Sequence, residues 1–508
     1  MSIWSTKSIY IKNSVVRLLV FFLSALLFFS FTNLIAQNTN RKTELQNLAR
    51  QHLLHKLDQY LTDYYQARNI ASVTAGVLHK GKIIWIGSRG FADLGNKVPA
   101  KPNTIYRVAS ISKVITAVAV MQLVEKGKIN LDADARNYIP YFPKKKWKFT
   151  TRQILQHTAG LRTYRTGEFN STVEYSSTRE AVDVISKDPL EYKPGTKYLY
   201  TTLGYNLLAA IIENTSGLSF NEYLKKNIFI PSGMLSTRLE VHKEIIPDKA
   251  KGYDKNLYRK LQNAPLADLS IKYAGGGIIS DAEDILKFAD SLIRGKLLQP
   301  AYLDSMLVPA RLQNGKTLTS GLGFEFNKDK DKDYFFGHYG YGTGFVSLLA
   351  IFPKDSVAVV HLINTADRGI ESPALDLASI VMGKEYSLPV KSLADKMMEL
   401  TLRTGIDSAT NYYTAIKTDS ANVYDLSTNE INTFGYDLLR IKKDDEGIKW
   451  FRLFAEDFPN STSAFIGLGD AYYNDNNIGM ALKAYRKAMA LDGNNKYALK
   501  MIKLLDRR

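Results

Sequence analysis

Within Tyr106-Arg107-Val108-Ala109-Ser110-Ile111-Ser112-Lys113, a lysine opens a run in which Val114, Ala117, Val118, Met121 and Val124 recur at helical spacing. Such a helix must bury its apolar side. A lysine wedged among those residues loses hydration, and its pKa falls. A fold that keeps it there must give it partners. Ser110 begins the helix, where backbone N–H groups are unpaired and the dipole is positive. Three residues on, Lys113 lies on the same helical face. The spacing suits a serine nucleophile that gives its proton to the lysine. Taken alone, the commoner meaning of S-x-x-K is a helix N-cap serine followed by a surface lysine. The choice between the two rests on segments further along the chain.

The N-terminus stands apart from any core. Lys7, Lys12 and Arg17 precede an uninterrupted apolar run, Leu18 to Phe31, and Ala36-Gln37 follows. This order reads as a secretory signal peptide over residues 1–36, cleaved after Ala36. The run is short for a membrane span, so no stable span is expected after cleavage, with an uncleaved anchor as the alternative. The expected destination is a bacterial periplasm or cell envelope. The 508 residues include no cysteine, so an exported fold must be held by its core, and thiol nucleophiles and thiolate metal sites are excluded. The formal charge of +17 becomes +14 without the three basic residues of the signal. No dense basic block with interleaved aromatics goes with it, so nucleic acid is not an expected partner. Lys144-Lys145-Lys146-Trp147-Lys148 reads as a solvated loop.

Residues 44–68 have an amphipathic helical pattern, and Val73–His79 and Lys82–Ser88 flank Lys80-Gly81 as a hairpin. Residues 150–300 are mainly helical in pattern. Val346–Phe352 and Val357–Ile363 then flank a Pro353-Lys354-Asp355 turn, and a helix is expected over 372–383. Strands at both ends with helices between predict an α/β domain over 44–385, an antiparallel sheet flanked by helices. A helical linker is expected over 386–429. Over 430–508 a 34-residue period relates Gly435 to Gly469 and Phe451 to Tyr485. These small and large positions resemble the tetratricopeptide repeat. Gly447 and Phe454 depart from it by standing where alanine is usual, and Gly493 by replacing a proline. Two such units are fewer than stand well alone, so the module is expected to lean on the preceding helices or on the catalytic domain. A protein partner is expected at this all-α module.

Four further segments follow in order: Gln156-His157-Thr158-Ala159-Gly160; Tyr198-Leu199-Tyr200-Thr201-Thr202-Leu203-Gly204-Tyr205; Tyr273-Ala274-Gly275-Gly276-Gly277; and Gly337-His338-Tyr339-Gly340-Tyr341 before the paired strands. With Ser110 and Lys113 they resemble the serine β-lactamase and penicillin-binding-protein superfamily, in its class C β-lactamase, D-alanyl-D-alanine carboxypeptidase and esterase branch. The resemblance covers about residues 50–385 and implies a β-lactamase/transpeptidase-like fold. It implies Ser110 as nucleophile, Lys113 as proton acceptor and Tyr200 as the proton shuttle to the leaving group. The backbone N–H groups of Ser110 and Tyr341 would form the oxyanion hole, each donor worth roughly 3–4 kcal/mol. Thr202, His338 and Gly340 would contact substrate. Thr202 stands where the family usually has asparagine, and His338 weakens the fixed positive charge that a lysine would supply. Both departures favour esterase or peptidase action over β-lactam hydrolysis. His157 reads as a structural turn residue.

The expected protein is an exported serine hydrolase that forms an acyl-enzyme without metal or cofactor. Its expected substrate is a small-molecule ester or a peptide, with a cell-wall-derived one among the candidates. The rivals are a true β-lactamase or D-alanyl-D-alanine carboxypeptidase, and a penicillin-binding sensor that acylates with little or no turnover.

Overall fold

A computed structural model describes residues 4–328, 334–367, 372–419 and 423–506, and before residue 41 only some side chains are described. The chain divides into two units, Met1–Asp58 and Gln59–Arg508. Helix α1, Trp4–Ala67, begins in the first unit and ends in the second. The helix expected from residue 44 therefore starts some forty residues earlier, because the apolar run before it holds no glycine or proline to stop it. The described side chains of that run, Phe21, Phe22 and Leu23 among them, are exposed. Lys7, Lys12, Arg17 and the expected cleavage point at Ala36 lie outside the described side chains. Among the described residues, no helix is long and apolar enough to cross a membrane.

In the second unit a seven-stranded sheet forms the centre. Its strands are β1 (Ser72–His79), β2 (Lys82–Asp93), β3 (Val98–Pro99), β4 (Glu325–Lys328), β5 (Tyr334–Gly342), β6 (Phe345–Phe352) and β7 (Val357–Ile363). They lie in the order β3-β2-β1-β7-β6-β5-β4, and every neighbouring pair is antiparallel. The expected hairpin at Lys80-Gly81 is β1–β2, with β2 reaching beyond Ser88 to Asp93. The sheet closes where Val77 of β1 pairs with Val359 of β7. Both strands are buried almost throughout, which suits their Val- and Ala-rich sequences. Helices Ala282–Ile293 and Pro373–Met382 pack on these two central strands.

Helix α2, Ile111–Glu125, has no exposed side: every residue from Ile111 to Leu123 is buried. It packs against α3, Tyr205–Ser216, and against strands β5 and β6. A helix apolar all round belongs in a core, and this one carries Lys113 into it.

The C-terminal region is all helix: α4 (Leu393–Thr404), α5 (Ile406–Ile416), α6 (Thr428–Arg440), α7 (Asp444–Asp457), α8 (Thr462–Asn474), α9 (Ile478–Leu491) and α10 (Lys496–Leu505). Residues 386–429, expected as a helical linker, fold into the helices α4 and α5 and share one apolar core with α6 to α8 through Met397, Tyr413, Phe434, Trp450 and Ala464. The 34-residue period has a geometric counterpart. A Cβ at Gly435 would fall 2.5 Å from the Phe451 ring, and one at Gly469 would fall 2.6 Å from the Tyr485 ring. Each glycine lets an aromatic ring of the following helix lie against the backbone.

Arg259, in the hairpin between Tyr253–Lys255 and Leu261–Asn263, ties this module to the sheet domain. Its guanidinium meets Asp395 of α4, Asp437 of α6 at 3.3 Å and Asp367 at 3.3 Å. Lys255 joins Asp367 at 2.9 Å and Asp395 at 3.0 Å. Burial opposes the charge on Arg259, but the three carboxylates outweigh it and hold its pKa above the ordinary value.

Candidate active site

The site begins with a constrained turn. Val108 donates its N–H to the Ile278 carbonyl at 3.1 Å, and its own carbonyl accepts from Ser347 Oγ of β6 at 2.8 Å. Ala109 then takes a left-handed φ of +45°, a conformation that costs an L-residue about 1–2 kcal/mol. The turn delivers Ser110 to the N-cap of α2. Gly340 of β5 faces it closely: a Cβ there would fall 2.6 Å from the Val108 carbonyl oxygen and closer still to Ser347 Oγ. Gly340 thus allows the strand to pass the turn, a packing role distinct from the substrate contact expected of it.

Two side chains converge on Ser110 Oγ, which accepts from Lys113 Nζ at 3.0 Å and from the Tyr200 hydroxyl at 2.8 Å. Lys113 Nζ also donates to Gly275 O at 2.6 Å and to Thr202 Oγ1 at 3.1 Å. Three acceptors therefore surround the ammonium, and none is a carboxylate. Burial drives the Lys113 pKa well below that of a free lysine; Glu325 opposes the shift and Lys272 adds to it. Burial moves Tyr200 the other way, well above a free phenol, so it keeps its proton. Of the two, the lysine is the group able to accept a proton near neutrality.

Thr202, expected at substrate, turns its hydroxyl to Lys113. A Cβ at Gly275 would fall 2.6 Å from both the Thr202 methyl and the Thr202 carbonyl oxygen. The Tyr273-Ala274-Gly275-Gly276-Gly277 segment is thereby pressed onto α2, and Thr116 Oγ1 fixes it further by donating to Ala274 O at 2.7 Å.

His338, also expected at substrate, is buried. Its Nδ1 lies 2.5 Å from the Tyr339 carbonyl oxygen and its Nε2 is 3.9 Å from Glu325. Burial lowers its pKa despite the carboxylate, which leaves it neutral. It lies beside Tyr200, ring centroids 6.2 Å apart, and does not line the cavity at Ser110. Tyr341 does line that cavity, together with Ala109, Ser110, Thr202 and Gly275.

Two contributors had no sequence reading as functional. His157 has φ +56°, packs against the Tyr200 ring in a tilted arrangement with centroids 4.4 Å apart, and accepts the Thr201 N–H on Nδ1 at 3.1 Å. It is neutral by burial and positions Tyr200. The loop after it covers the cavity: Phe169 stacks on Tyr341 at 6.4 Å, and Asn170 Oδ1 accepts from Thr343 Oγ1 at 2.6 Å. Arg162 holds this loop through Glu168 at 2.7 Å.

The human mitochondrial protein called serine beta-lactamase-like protein LACTB is 31% identical over 292 residues, 44% of this chain and 53% of that protein. The chain thus spans about half the length of this relative. Penicillin-binding protein 4* of Bacillus subtilis (strain 168) is 28% identical over 333 residues, 62% of this chain and 73% of that protein. Among solved structures, the D-amino acid amidase of Ochrobactrum anthropi SV3 superimposes with a TM-score of 0.58 at 24% identity, over 65% of this chain and 99% of that one. That likeness speaks to the fold. A family model described as Beta-lactamase matches residues 57–378, the whole sheet domain with Ser110, Lys113 and Tyr200 inside it. The chain belongs to the beta-lactamase family, whose members are serine hydrolases.

Proposed function

We propose that this protein is an exported serine hydrolase that cleaves ester or peptide bonds through an acyl-enzyme on Ser110. The observation that carries the reading is the convergence of Lys113 Nζ and the Tyr200 hydroxyl on Ser110 Oγ, at 3.0 and 2.8 Å, with the lysine pKa depressed by burial. The neutral Lys113 amine takes the Ser110 proton as Oγ adds to the substrate carbonyl carbon. The backbone N–H groups of Ser110 and Tyr341 receive the resulting oxyanion. As the tetrahedral adduct collapses, Tyr200 gives its proton to the departing oxygen or nitrogen and regains one from Lys113. Water then attacks the ester carbonyl, its proton passing through Tyr200, and Ser110 is restored as the acid leaves.

A neutral, buried His338 offers no fixed charge to a substrate carboxylate beside Tyr200. This supports ester or peptide substrates over β-lactams. The Gly–aromatic contacts repeated at 34 residues support a tetratricopeptide-like module, the place at which a protein partner is proposed. The signal-like N-terminal pattern supports export.

The test is mass spectrometry of the full chain after a fluorophosphonate probe, with p-nitrophenyl butyrate turnover followed in parallel. A probe adduct on Ser110, and turnover lost in Ser110→Ala, are expected. An adduct that persists without turnover would replace the hydrolase with an acylated sensor. Neither adduct nor turnover would remove the catalytic reading.

A further inference from the structure

Lys272 is the second lysine at the Ser110 cavity, and its surroundings differ from those of Lys113. It directly precedes the Tyr273-Ala274-Gly275-Gly276-Gly277 segment and is 4% exposed. Its Nζ donates to the Phe169 carbonyl at 2.5 Å and lies 4.4 Å from the Phe169 ring centroid and 5.6 Å from that of Tyr164. One of its three N–H groups thus finds an oxygen, and ring faces flank the rest. Among the described residues no carboxylate lies within ion-pair distance of it. Glu240, which acts on it from further away, is already taken by Arg107 at 2.7 Å and Lys249 at 2.7 Å. Burial brings the Lys272 pKa down to about 8, which still leaves it mainly cationic at neutral pH. A buried cation with spare donors is costly to keep unless something pairs with it.

The place of this cation in the cavity says what that partner is. Lys272 lines the cavity with Ser110, Thr202, Gly275 and Tyr341, whereas Tyr200 and His338 do not line it. Tyr200 is the group assigned to the leaving group, so this cavity receives the other half of the substrate, the acyl part. We propose that Lys272 makes the enzyme selective for acyl groups bearing a carboxylate. The carboxylate accepts the N–H groups of Lys272 that meet only ring faces; the free space there is about 20 Å³, enough for a carboxylate oxygen and not for the chain that carries it, so the Phe169 side chain must move aside for the acyl group to enter. Arg107 lines the same cavity, but its bidentate pair with Glu240 leaves Lys272 as the cation open to a ligand. The fixed positive charge missing at His338 is thus supplied on the acyl side of the site. This inference rests on the hydrolase reading above.

The experiment compares p-nitrophenyl half-esters of four- to eight-carbon diacids with the matching terminal amides, using the full chain. Each carboxylate and amide pair has nearly one shape and differs in charge. Background hydrolysis is set by Ser110→Ala. Wild-type kcat/KM is expected to favour the carboxylate by about ten-fold or more at the best chain length. The ratio of the two rates is the readout, whatever their absolute size. It is expected to fall toward one in Lys272→Met and to survive in Lys272→Arg. Turnover that depends on Ser110 but shows no carboxylate preference in the wild type overturns this proposal and leaves the hydrolase standing, even if Lys272→Met does not fold. A preference that persists in Lys272→Met overturns it equally. Absence of any Ser110-dependent turnover overturns the hydrolase reading itself, and this proposal with it.

Discussion

Arg259 and Lys255 are buried among three carboxylates, whereas Lys113 and Lys272 are buried among carbonyls, hydroxyls and aromatic rings. Both regions remove cations from water, and both incur the desolvation cost. In the first, the guanidinium of Arg259 is charged in any surroundings, and the carboxylates offset its desolvation and hold it fixed, so it joins two parts of the fold. In the second, no counter-ion cancels the cost, and the Lys113 pKa drops until the amine can act as a base. Burial alone does not decide what a cation does. The presence or absence of acid beside it does.

The comparison breaks most visibly at Lys113. Lys113→Met is expected to reduce kcat/KM for p-nitrophenyl butyrate by about 10⁴-fold. Lys113→Arg should not rescue it, because a guanidinium stays protonated. The working form is the neutral amine, so wild-type kcat/KM should rise with pH through a value well below that of a free lysine. The sign for stability is the same. The unfolded chain binds this proton more tightly than the folded one, so the contribution grows as pH rises from the folded to the unfolded pKa. A rate profile flat across that range would show that Lys113 is not the base.

At the other pole, Arg259→Met leaves Asp367 and Asp395 with Lys255 and Asp437 with Arg440, and removes the one cation that joins all three carboxylates. A destabilisation of about 3–5 kcal/mol is expected, read as a lower midpoint in urea unfolding. Turnover under native conditions should persist. An unchanged midpoint would mean that the cluster contributes nothing to holding the helical module. The smallest expected effect on stability is at Gly340→Ala. The added methyl must move Ser347 or the Val108 carbonyl, at about 1–3 kcal/mol. Because that carbonyl precedes the turn to Ser110, turnover should drop about 100-fold while the fold survives. Wild-type turnover in this variant would separate the strand from the geometry of the nucleophile.

Much of this arrangement was legible in the sequence, and the legible parts are local or motif-bound. The helix after Ser110 follows from the spacing of Val114, Val118 and Met121, and the β1–β2 hairpin from Lys80-Gly81 between apolar runs. Ser110, Lys113, Tyr200 and Tyr341 could be picked out because the family resemblance ordered them. What remained hidden depends on partners far apart in the chain. Thr202 turns its hydroxyl to Lys113 and lies so close to Gly275 that a side chain there would not fit. His157 packs against Tyr200 only once its left-handed backbone has reversed the chain. Lys272 stands beside a glycine-rich segment that drew notice, but its carbonyl and ring partners lie a hundred residues earlier. Residues 386–429 read as a helical linker because Pro389 and the polar stretch 404–430 mark a change of pattern. Their buried stripe shows only when Met397 and Tyr413 meet Phe434 and Trp450.

The pairing of Val77 with Val359 also sets a timetable. The middle of the sheet joins a strand made early to one made late. At ribosomal speeds of about 5–20 residues per second, β1 waits roughly 15–60 s for its neighbour. During that interval the Val-rich edge of β1 is open to other chains. Ser110 is synthesised early too, but the strand that carries Tyr341 arrives with the late half. The nucleophile therefore exists long before the site that would make it reactive. A ribosome-bound or truncated chain ending before β5 carries Ser110 and Lys113 without Tyr341 or the late strands that back them.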